Sequence, residues 1–303
     1  MIIAVLMTVF NRKVKTIRCL QALQQTWRVF SSQIHLDVFL TDDASTDGTV
    51  DAVREEHFPF PVHVLEGTGQ LYWNGGMIVA WKAAMQQGGF DGYLWLNNDT
   101  YVLPDFWQDL LDADVFCLGH FGKKGIYVGS TCDGKDGHYT YGGFNYVNKF
   151  TLLDQFVLPD GQSFQECEAA HGNITYVSSD VVKEQGVFCE QFFHGGTDHD
   201  YTYLAHKAGW PILVLPHFSA TCENDHARDG GRSAFFALPL KKRWRETFHN
   251  KGRSYLRNSL LFNKRCFPLR YPFVWMSVLA KVVFPKAYYR LYLLMRGVKV
   301  RPW

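Results

Sequence analysis

The sequence predicts an α/β protein, with a mostly parallel central sheet flanked by helices and a basic helical extension at its C-terminal end. Two observations predict this fold class. Over the first hundred residues, short apolar runs of strand length alternate with stretches whose apolar residues recur at helical spacing. Near residue 240 this alternation stops, and the composition becomes basic and aromatic. We therefore expect two domains, residues 1–240 and residues 241–303.

The elements of the first hundred residues follow one another in a regular order. Predicted strands cover residues 2–7, 36–40, 62–65 and 93–96, and predicted helices cover residues 14–27, 49–56 and 77–87. Strands that alternate with helices form parallel sheets with right-handed crossovers. Ligands on such sheets bind beyond the carboxyl ends of the strands, so we expect the functional residues there.

The remainder of the first domain is less regular. Residues 119–164 are rich in Gly, Tyr, Asn and Asp, which predicts irregular hairpins. A strand at 174–177, a helix at 198–207 and a strand at 212–215 are predicted to follow.

Composition excludes several classes of protein. With 47% hydrophobic and 20% charged residues, the chain is neither disordered nor a coiled coil. No apolar run reaches the roughly 18 to 20 residues that a membrane-spanning helix needs. The apolar N-terminus precedes its charged residues, so a secretory signal is not expected. Seven scattered cysteines without a Cys-x-x-Cys pair argue against a disulfide framework and a zinc ribbon, and for a reducing compartment.

The net charge of +2 conceals a strong asymmetry. Residues 241–303 contain 16 Lys and Arg against one acid, whereas residues 1–240 contain 15 basic and 28 acidic side chains. The basic residues are interleaved with aromatic ones such as Trp275 and Tyr288, which suits the headgroup region of an anionic membrane. A solvated helical face is the structural alternative. Nucleic acid is not expected as a partner, because the body is acidic and the sequence shows no nucleic-acid-binding motif.

Polar loops follow two of the predicted strands. Asp42 and Asp43 lie between a strand and a helix, where carboxylates suit a nucleotide base, a ribose or a metal, or simply cap the helix. Asn97-Asn98-Asp99 follows the strand at 93–96. One carboxylate and one amide oxygen at spacing i, i+2 suit Mg²⁺, which completes its ligand shell with substrate phosphates. A polar turn is the structural alternative for this second loop.

Glycines precede two of the predicted helices. Residues 67–76 contain G-x-G but lack the full dinucleotide-binding fingerprint, although their glycines still allow a phosphate to approach a helix start. Trp73 in this segment suits stacking on a sugar or a base, or a place in the core. Asp198 follows two glycines at a helix start, where a carboxylate serves as a cap or as a general base. The neighbouring histidines do not match a zinc motif.

Taken in order, these motifs resemble the inverting glycosyltransferases of family 2, which have the Rossmann-like GT-A fold, and among them the bacterial rhamnosyltransferase-like branch. The resemblance spans roughly residues 1–260. It is carried by T-V-F-N-R, T-D-D-A-S-T-D-G-T, L-Y-W-N-G-G-M, L-W-L-N-N-D-T, G-T-D-H-D-Y and T-C-E-N. The motifs are specific for the family and say little about the donor sugar.

The resemblance implies roles for three carboxylates. Asp42 would read the nucleotide base and ribose, Asp99 would hold a divalent cation (Mn²⁺ or Mg²⁺), and Asp198 would be the catalytic base. Two positions depart from the family pattern. Asn97 stands where the metal motif has its first carboxylate, and Thr197 stands where the motif of the base has a Glu.

Further residues follow from the same resemblance. A second protein ligand to the metal would be His217 or His226, and the choice between them is open. The other residues expected to bind the nucleotide sugar are Thr8, Asn11, Arg12, Asp43, Trp73, Asn74, Gly75, Gly76, Asn97 and Asn98.

The activity implied is transfer of a sugar from a UDP- or dTDP-linked donor to a hydroxyl of a glycan or lipid-linked acceptor, in the biosynthesis of surface polysaccharide. We expect a cytoplasmic protein, bound peripherally to the inner face of the membrane through residues 241–303. Two alternatives stay open. A nucleotidyltransferase acting on sugar phosphates would need a glycine-rich phosphate loop, and residues 1–12 contain no glycine. A non-catalytic sugar-nucleotide-binding protein of the same fold would explain Asn97 and Thr197.

Overall fold

The computed structural model describes residues 1–193, 195–223 and 235–295, which form two compact units that interleave along the chain. The first unit comprises Met1–Asn145, Gln155–Glu190 and residues 197–223, and the second comprises Tyr146–Asp154, residues 191–193, 195 and 196, and residues 235–295. The division of the chain into domains at residue 240 stays a prediction.

Strands and helices alternate from residue 2 to residue 96, and a run of strands between residues 126 and 178 follows the fourth helix. The strands are β1 (Ile2–Val9), β2 (His35–Asp42), β3 (Val62–Glu66), β4 (Gly92–Leu96), β5 (Tyr101–Val102), β6 (Ile126–Cys132), β7 (Tyr139–Tyr141), β8 (Gly143–Asn148), β9 (Leu153–Phe156), β10 (Gln165–Glu166), β11 (Ala169–Ala170), β12 (Ile174–Ser178) and β13 (Ile212–Thr221). The helices are α1 (Lys13–Trp27), α2 (Thr49–Glu55), α3 (Tyr72–Gln87), α4 (Phe106–Phe121), α5 (Ser179–Gln185) and α6 (Thr197–Lys207).

The large sheet is parallel in one half and mixed in the other. Over the described residues its strand order is β10-β13-β6-β12-β4-β1-β2-β3, with β5 added to β13 and β7 added to β6. Strands β3, β2, β1 and β4 are parallel, whereas β12 runs antiparallel between β4 and β6. The carboxyl ends of β1, β2 and β4 therefore meet at one edge. The predicted α/β fold class is confirmed.

Alternate side chains of β1 enter two apolar cores, one on each face of the sheet. Ile3, Val5 and Met7 pack in the core that α1 and α4 cover. Ala4 and Leu6 pack in the core on the other face, with Trp81 of α3 and residues of α5 and α6. A strand buried on both faces reads as a continuous apolar run, which is why this segment was predicted from the sequence.

Two regular elements, one before the predicted irregular region and one within it, were not predicted from the sequence. Helix α4 buries one face through Phe106, Leu110, Ala113 and Cys117, which recur at helical spacing. Every residue of β6 is buried, although the strand carries Gly129 in its middle. A Cβ at Gly129 would lie 2.7 Å from Ser219 Cβ, so glycine serves here for close packing of β6 and not for a turn. Strand β6 lies in the segment predicted to form irregular hairpins, and its last residues pair antiparallel with β7.

The second unit contains the predicted C-terminal helices. They are α7 (Leu240–Phe248), α8 (Asn250–Cys266), α9 (Tyr271–Val283) and α10 (Pro285–Met295), with a 3₁₀ turn at Pro268–Arg270. Arg243 is buried and donates hydrogen bonds to the carbonyl oxygens of Val282, at 2.8 Å, and Leu238. In the part of the chain that the structure describes, each helix falls short of the length and apolar content that a membrane crossing requires.

Candidate active site

The two adjacent carboxylates after β2 have different environments. Asp43 accepts hydrogen bonds from the backbone N–H groups of Gly69, at 2.6 Å, and Tyr72, at 3.0 Å, so it holds the segment that leads into α3. Asp42 accepts one bond from the Ser45 N–H through Oδ2. Its Oδ1 is buried and has no hydrogen-bond partner among the described residues. A buried carboxylate oxygen without a partner is costly, and a ligand N–H or O–H would satisfy it.

The loop after β1 is tied to the loop after β2. Asn11, with a φ of 50°, receives the Thr46 N–H on Oδ1 at 2.7 Å and donates its own N–H to Ser45 Oγ at 2.9 Å. Asparagine tolerates this left-handed conformation better than most residues. The backbone of this loop, which also carries Arg12, is therefore fixed beside Asp42.

The glycines at the start of α3 let the helix approach β1. A Cβ at Gly76 would lie 2.0 Å from Thr8 Oγ1, and one at Gly75 would lie 3.1 Å from Leu71 Cβ. Gly76 is therefore required for close contact between α3 and β1, which is a structural reason independent of any phosphate. Asn74 is buried in the same turn and donates to the Cys189 carbonyl oxygen at 3.0 Å.

Asp99 lies in the loop after β4 and forms an ion pair with the loop after β1. Arg12 Nη1 is 2.5 Å from Asp99 Oδ2, and Lys15 Nζ is 4.0 Å from the same oxygen. Asn98, by contrast, is buried, and its amide lies 3.4 Å from Thr16 Oγ1 of α1. Of the two residues, Asp99 is the one available to a ligand.

Trp73 connects the Asn97 loop to Asp198. Its indole N–H donates to Asn97 Oδ1 at 2.7 Å, which gives a structural role to the amide at this position. A Cβ at Gly172 would lie 3.0 Å from Trp73 Cη2 and 3.2 Å from Asp198 Cβ, so Gly172 packs closely against both residues. The structure thus places the N-terminal turn of α3, the loop after β4 and the first turn of α6 side by side.

Asp198 is held in place by backbone N–H groups. Its Oδ2 accepts from Gly172 at 2.9 Å, and its Oδ1 accepts from the N–H of His199 at 3.0 Å. The Nε2 atom of His199 is 4.0 Å from Asp198 Oδ2. The carboxylate remains partly exposed, with 16% of the side chain accessible. An oriented, accessible carboxylate is suited to general-base chemistry.

The sequence analysis missed two residues of this site. Gly172 orients the Asp198 carboxylate, yet its neighbours in the chain form no motif. Lys15 contributes the second positive charge beside Asp99. Its position, three residues after Arg12 at the start of a predicted helix, is a signal that could have placed both side chains on one face.

One of the two histidines proposed as metal ligands, His217, lies within the described residues. His217 lies against α4, where its backbone N–H donates to Asp109 Oδ2 at 3.2 Å and its Nδ1 is 3.1 Å from Asp109 Oδ1. The hydrogen bond to Asp109 raises the pKa of His217. His226 lies outside the described residues. Over the described ranges, no group of three or more His, Cys, Asp or Glu side chains is arranged to hold a metal ion.

The donor chemistry of the Asp99 loop nevertheless fits a cation that is bound mainly through substrate phosphates. Asp99 offers one partly exposed carboxylate, the kind of oxygen ligand that Mg²⁺ and Mn²⁺ take. Asn97 offers an amide oxygen, which here accepts the Trp73 N–H. Arg12 pairs with the Asp99 carboxylate in the structure and would compete with a cation for it.

A family model matches the N-terminal part of the chain. The family model described as Glycosyl transferase family 2 matches residues 4–114, which extend from β1 into α4 and include the loops after β1, β2 and β4. No curated protein matches the chain.

Solved glycosyltransferases share the fold. The mannosyltransferase PcManGT from Pyrobaculum calidifontis, solved with GDP-Man and Mn²⁺, aligns with a TM-score of 0.51 at 16% identity, over 97% of this chain and 79% of its own. TarS from S. aureus, solved with UDP, aligns with a TM-score of 0.55 at 14% identity, over 99% and 93%. GalNAc-T7, solved with UDP, GalNAc and Mn²⁺, aligns with a TM-score of 0.52 at 12% identity, over 72% and 43%. The GT-A fold is thereby confirmed, whereas the rhamnosyltransferase-like branch stays a prediction.

Proposed function

We propose that this chain is an inverting glycosyltransferase that transfers a sugar from a nucleoside-diphosphate sugar to an acceptor hydroxyl. One observation carries the proposal. Trp73 donates to Asn97 and lies against Gly172, whose N–H holds the Asp198 carboxylate, so this carboxylate lies near the strand-end loops that carry Asp42 and Asp99. The edge proposed to bind the nucleotide thus lies beside the candidate base. A single displacement at a sugar carbon requires the donor and the base to be adjacent in this way.

Asp42 is the residue proposed to recognise the nucleotide. Its buried Oδ1 lacks a partner among the described residues, while Oδ2 is oriented by the Ser45 N–H. An N–H of the base or an O–H of the ribose would satisfy the free oxygen. Asp43 has the other role: by accepting from Gly69 and Tyr72 it shapes the segment before α3.

Asp198 is the proposed general base. It takes the proton from the acceptor hydroxyl while that oxygen attacks the anomeric carbon, and the carbon–oxygen bond to the nucleoside diphosphate breaks on the opposite side. The N–H groups of Gly172 and His199 hold the carboxylate in position before the acceptor arrives. Such preorganisation lowers the cost of reaching the reactive geometry.

A divalent cation at Asp99 is part of the proposal, supported by the Mn²⁺ in two of the structural neighbours. When bound, it would stabilise the negative charge that develops on the leaving diphosphate. The protein's own contribution on this side is positive charge from Arg12 and Lys15, which lie at Asp99 in the structure.

The second unit supports a proposal about where the acceptor lies. Trp275, Met276, Leu279 and Val283 of α9 are between 41% and 63% exposed, and residues 241–303 carry 16 basic side chains against one acid. Exposed apolar side chains among basic residues suit an anionic leaflet. We therefore infer peripheral binding to the cytoplasmic side of a membrane and a glycan or lipid-linked acceptor of surface polysaccharide biosynthesis.

The proposal is tested first by donor binding and then by a change at Asp198. UDP-, dTDP- and GDP-linked sugars are screened by thermal shift, and hydrolysis of the stabilising donor is followed with Mn²⁺ or Mg²⁺. Asp198→Asn should bind that donor as the wild type does but lose turnover by about a hundredfold or more, the range expected for a lost general base. The amide oxygen can still accept one of the two backbone N–H groups, from Gly172 or His199, so part of the anchoring is kept.

Asp180→Asn is the matched control, because it removes a carboxylate from the same unit at the exposed start of α5, where Asp180 pairs with Lys183. It should retain full turnover. If Asp198→Asn loses donor binding and turnover to the same extent, Asp198 is a structural cap. A wild-type protein that binds donors but never hydrolyses or transfers them is a binding module.

A further inference from the structure

Asp99, the carboxylate proposed to hold the cation, already has a cationic partner. The Arg12 guanidinium lies 2.5 Å from Asp99 Oδ2, and Lys15 lies 4.0 Å from the same atom. The Asp99 side chain is 19% exposed and that of Arg12 is 44% exposed. The pair is therefore partly desolvated on the carboxylate side and open to solvent on the side of the arginine.

A divalent cation and the Arg12 guanidinium cannot both occupy the same side of this oxygen. Two like-charged groups at such short separation repel each other strongly in a partly desolvated site. Binding of a metal to Asp99 Oδ2 therefore requires the Arg12 side chain to leave that oxygen. The backbone need not move, because Asn11 anchors this loop through Ser45 and Thr46.

The displaced guanidinium has an obvious destination within the proposed site. The loops after β1, β2 and β4 surround the place where a donor diphosphate would meet the cation. Arginine binds phosphate through two parallel N–H donors, a geometry that lysine does not offer. The backbone at Arg12 is held beside Asp42, and the long side chain is 44% exposed, so the guanidinium can reach from Asp99 toward that group.

We propose that Arg12 exchanges partners during donor binding: it neutralises Asp99 before a donor is bound, and it binds the donor diphosphate once a divalent cation takes Asp99. This inference rests on the proposed function, since it needs a diphosphate ligand. Its consequence is thermodynamic coupling. A metal ion that binds alone must compete with Arg12 for Asp99. When metal and nucleotide bind together, Asp99 binds the metal and Arg12 binds the diphosphate. The metal therefore increases the affinity for the nucleotide, and the nucleotide increases the affinity for the metal by the same factor.

The test is a set of calorimetric titrations on the full chain. UDP, GDP and dTDP are titrated first, and the tightest binder is carried forward. Mn²⁺ alone, the nucleotide alone in chelator, and the nucleotide with Mn²⁺ are then titrated into the wild type and Arg12→Gln. A titration of nucleotide with Mn²⁺ without protein corrects for their association in solution.

Arg12→Gln should change the affinity for Mn²⁺ alone and the affinity for the nucleotide with Mn²⁺ in opposite directions. Arg12→Gln should bind Mn²⁺ alone about threefold to tenfold more tightly, because an ion pair that competes with the metal is gone. It should bind the nucleotide in the presence of Mn²⁺ about tenfold more weakly, because a charged hydrogen bond to phosphate is lost. The coupling factor between the two ligands should fall toward one.

Lys13→Gln is the matched control. It removes the same charge from the next residue, but the Lys13 ammonium lies beside Gly48, 3.7 Å from the position of a Cβ there. This variant should behave as the wild type in all three titrations. Arg12→Lys should keep the weak binding of Mn²⁺ alone, since the charge remains, but lose part of the coupling because the two-pronged donor is gone.

Arg12→Gln binding Mn²⁺ with wild-type or lower affinity, with unchanged coupling, would overturn the proposal and leave an ordinary surface ion pair. Failure of the proposed function has a different signature. In that case the wild type binds none of the three nucleotides, while the comparison with Mn²⁺ alone still decides whether Arg12 restricts access to Asp99.

Discussion

Helices α3 and α9 are both rich in apolar residues, yet they bury them to very different extents. In α3, Met77, Ala80, Trp81 and Ala84 are fully buried against the sheet. In α9, only Val274 and Val282 are buried, and most of the other large apolar side chains are exposed. Of these, Met276, Leu279 and Val283 recur at spacings of three and four and so share one face.

The first unit buries the apolar face of its helix, whereas the second unit leaves an apolar helix face exposed. The first unit covers its helices with its own ten-stranded sheet, counted over the described residues. The second unit leaves a helix face uncovered within a segment of strong positive charge. An exposed apolar face of this kind marks an interaction surface.

Substituting one tryptophan in each helix should give the largest contrast. Trp81 is fully buried and packs on Trp95 and Phe188, with ring centroids 5.5 and 5.2 Å away. Trp81→Ala should lower the free energy of unfolding by about 3–5 kcal/mol. Trp275→Ala, at a side chain that is 41% exposed, should change it by about 0.5 kcal/mol or less. Urea unfolding followed by circular dichroism measures both.

Trp81→Phe is the control for ring loss. It should be milder than Trp81→Ala, because a ring remains and a buried indole N–H without a partner among the described residues is removed. Equal destabilisation by Trp81→Ala and Trp275→Ala would contradict the comparison, since α9 would then be a core helix.

Membrane binding should depend on the second unit alone. Lys241, Lys242 and Arg245 of α7 are exposed. Changing all three to Gln should weaken binding to anionic liposomes at low salt by about 3 kcal/mol, or about a hundredfold, at about 1 kcal/mol for each charge. Trp275→Ser with Leu279→Ser should instead weaken the part of the binding that high salt does not remove. Liposome sedimentation with neutral and anionic lipid separates the two contributions.

A matched triple change in the first unit serves as the control. Lys82, Lys135 and Lys183 are exposed, and their replacement by Gln should leave liposome binding unchanged. If the wild type does not sediment with anionic liposomes at low salt, the membrane proposal is wrong, and the exposed face of α9 serves a protein partner.

The smallest effect concerns pH. Asp109 raises the pKa of His217 in the folded protein, so the pair stabilises the first unit fully below the ordinary pKa of histidine. This stabilisation is lost as the pH rises through the raised value. Because His217 is nearly half exposed, it should amount to about 0.5 kcal/mol or less. The difference in Tm between the wild type and His217→Gln should therefore be larger at pH 5.5 than at pH 8.5. Asp109→Asn should abolish that dependence on pH, and a difference that grows with pH would contradict the assignment.

Strands β1, β2 and β4, helices α1 and α6, and the loops that follow the strands were all predictable from local pattern. A buried strand reads as an apolar run, and a helix repeats its apolar residues every three or four positions. The parallel order then places Asp42 and Asp99 at one edge of the sheet, because the carboxyl ends of β2 and β4 flank that of β1. The family match over residues 4–114 covers this part of the chain.

Only the tertiary structure decided what each polar side chain does. Asp42 and Asp43 are adjacent and identical in type, yet one keeps an oxygen without a partner and the other organises the segment before α3. The bond from Trp73 to Asn97, the bond from Gly172 to Asp198 and the ion pair of Arg12 with Asp99 join residues 24, 26 and 87 positions apart. Strand register and helix packing bring those partners together. The spacing of residues along the chain predicts which face of a helix or strand a side chain lies on. The contacts named above depend also on which other element packs against that face, and only the assembled sheet determines this.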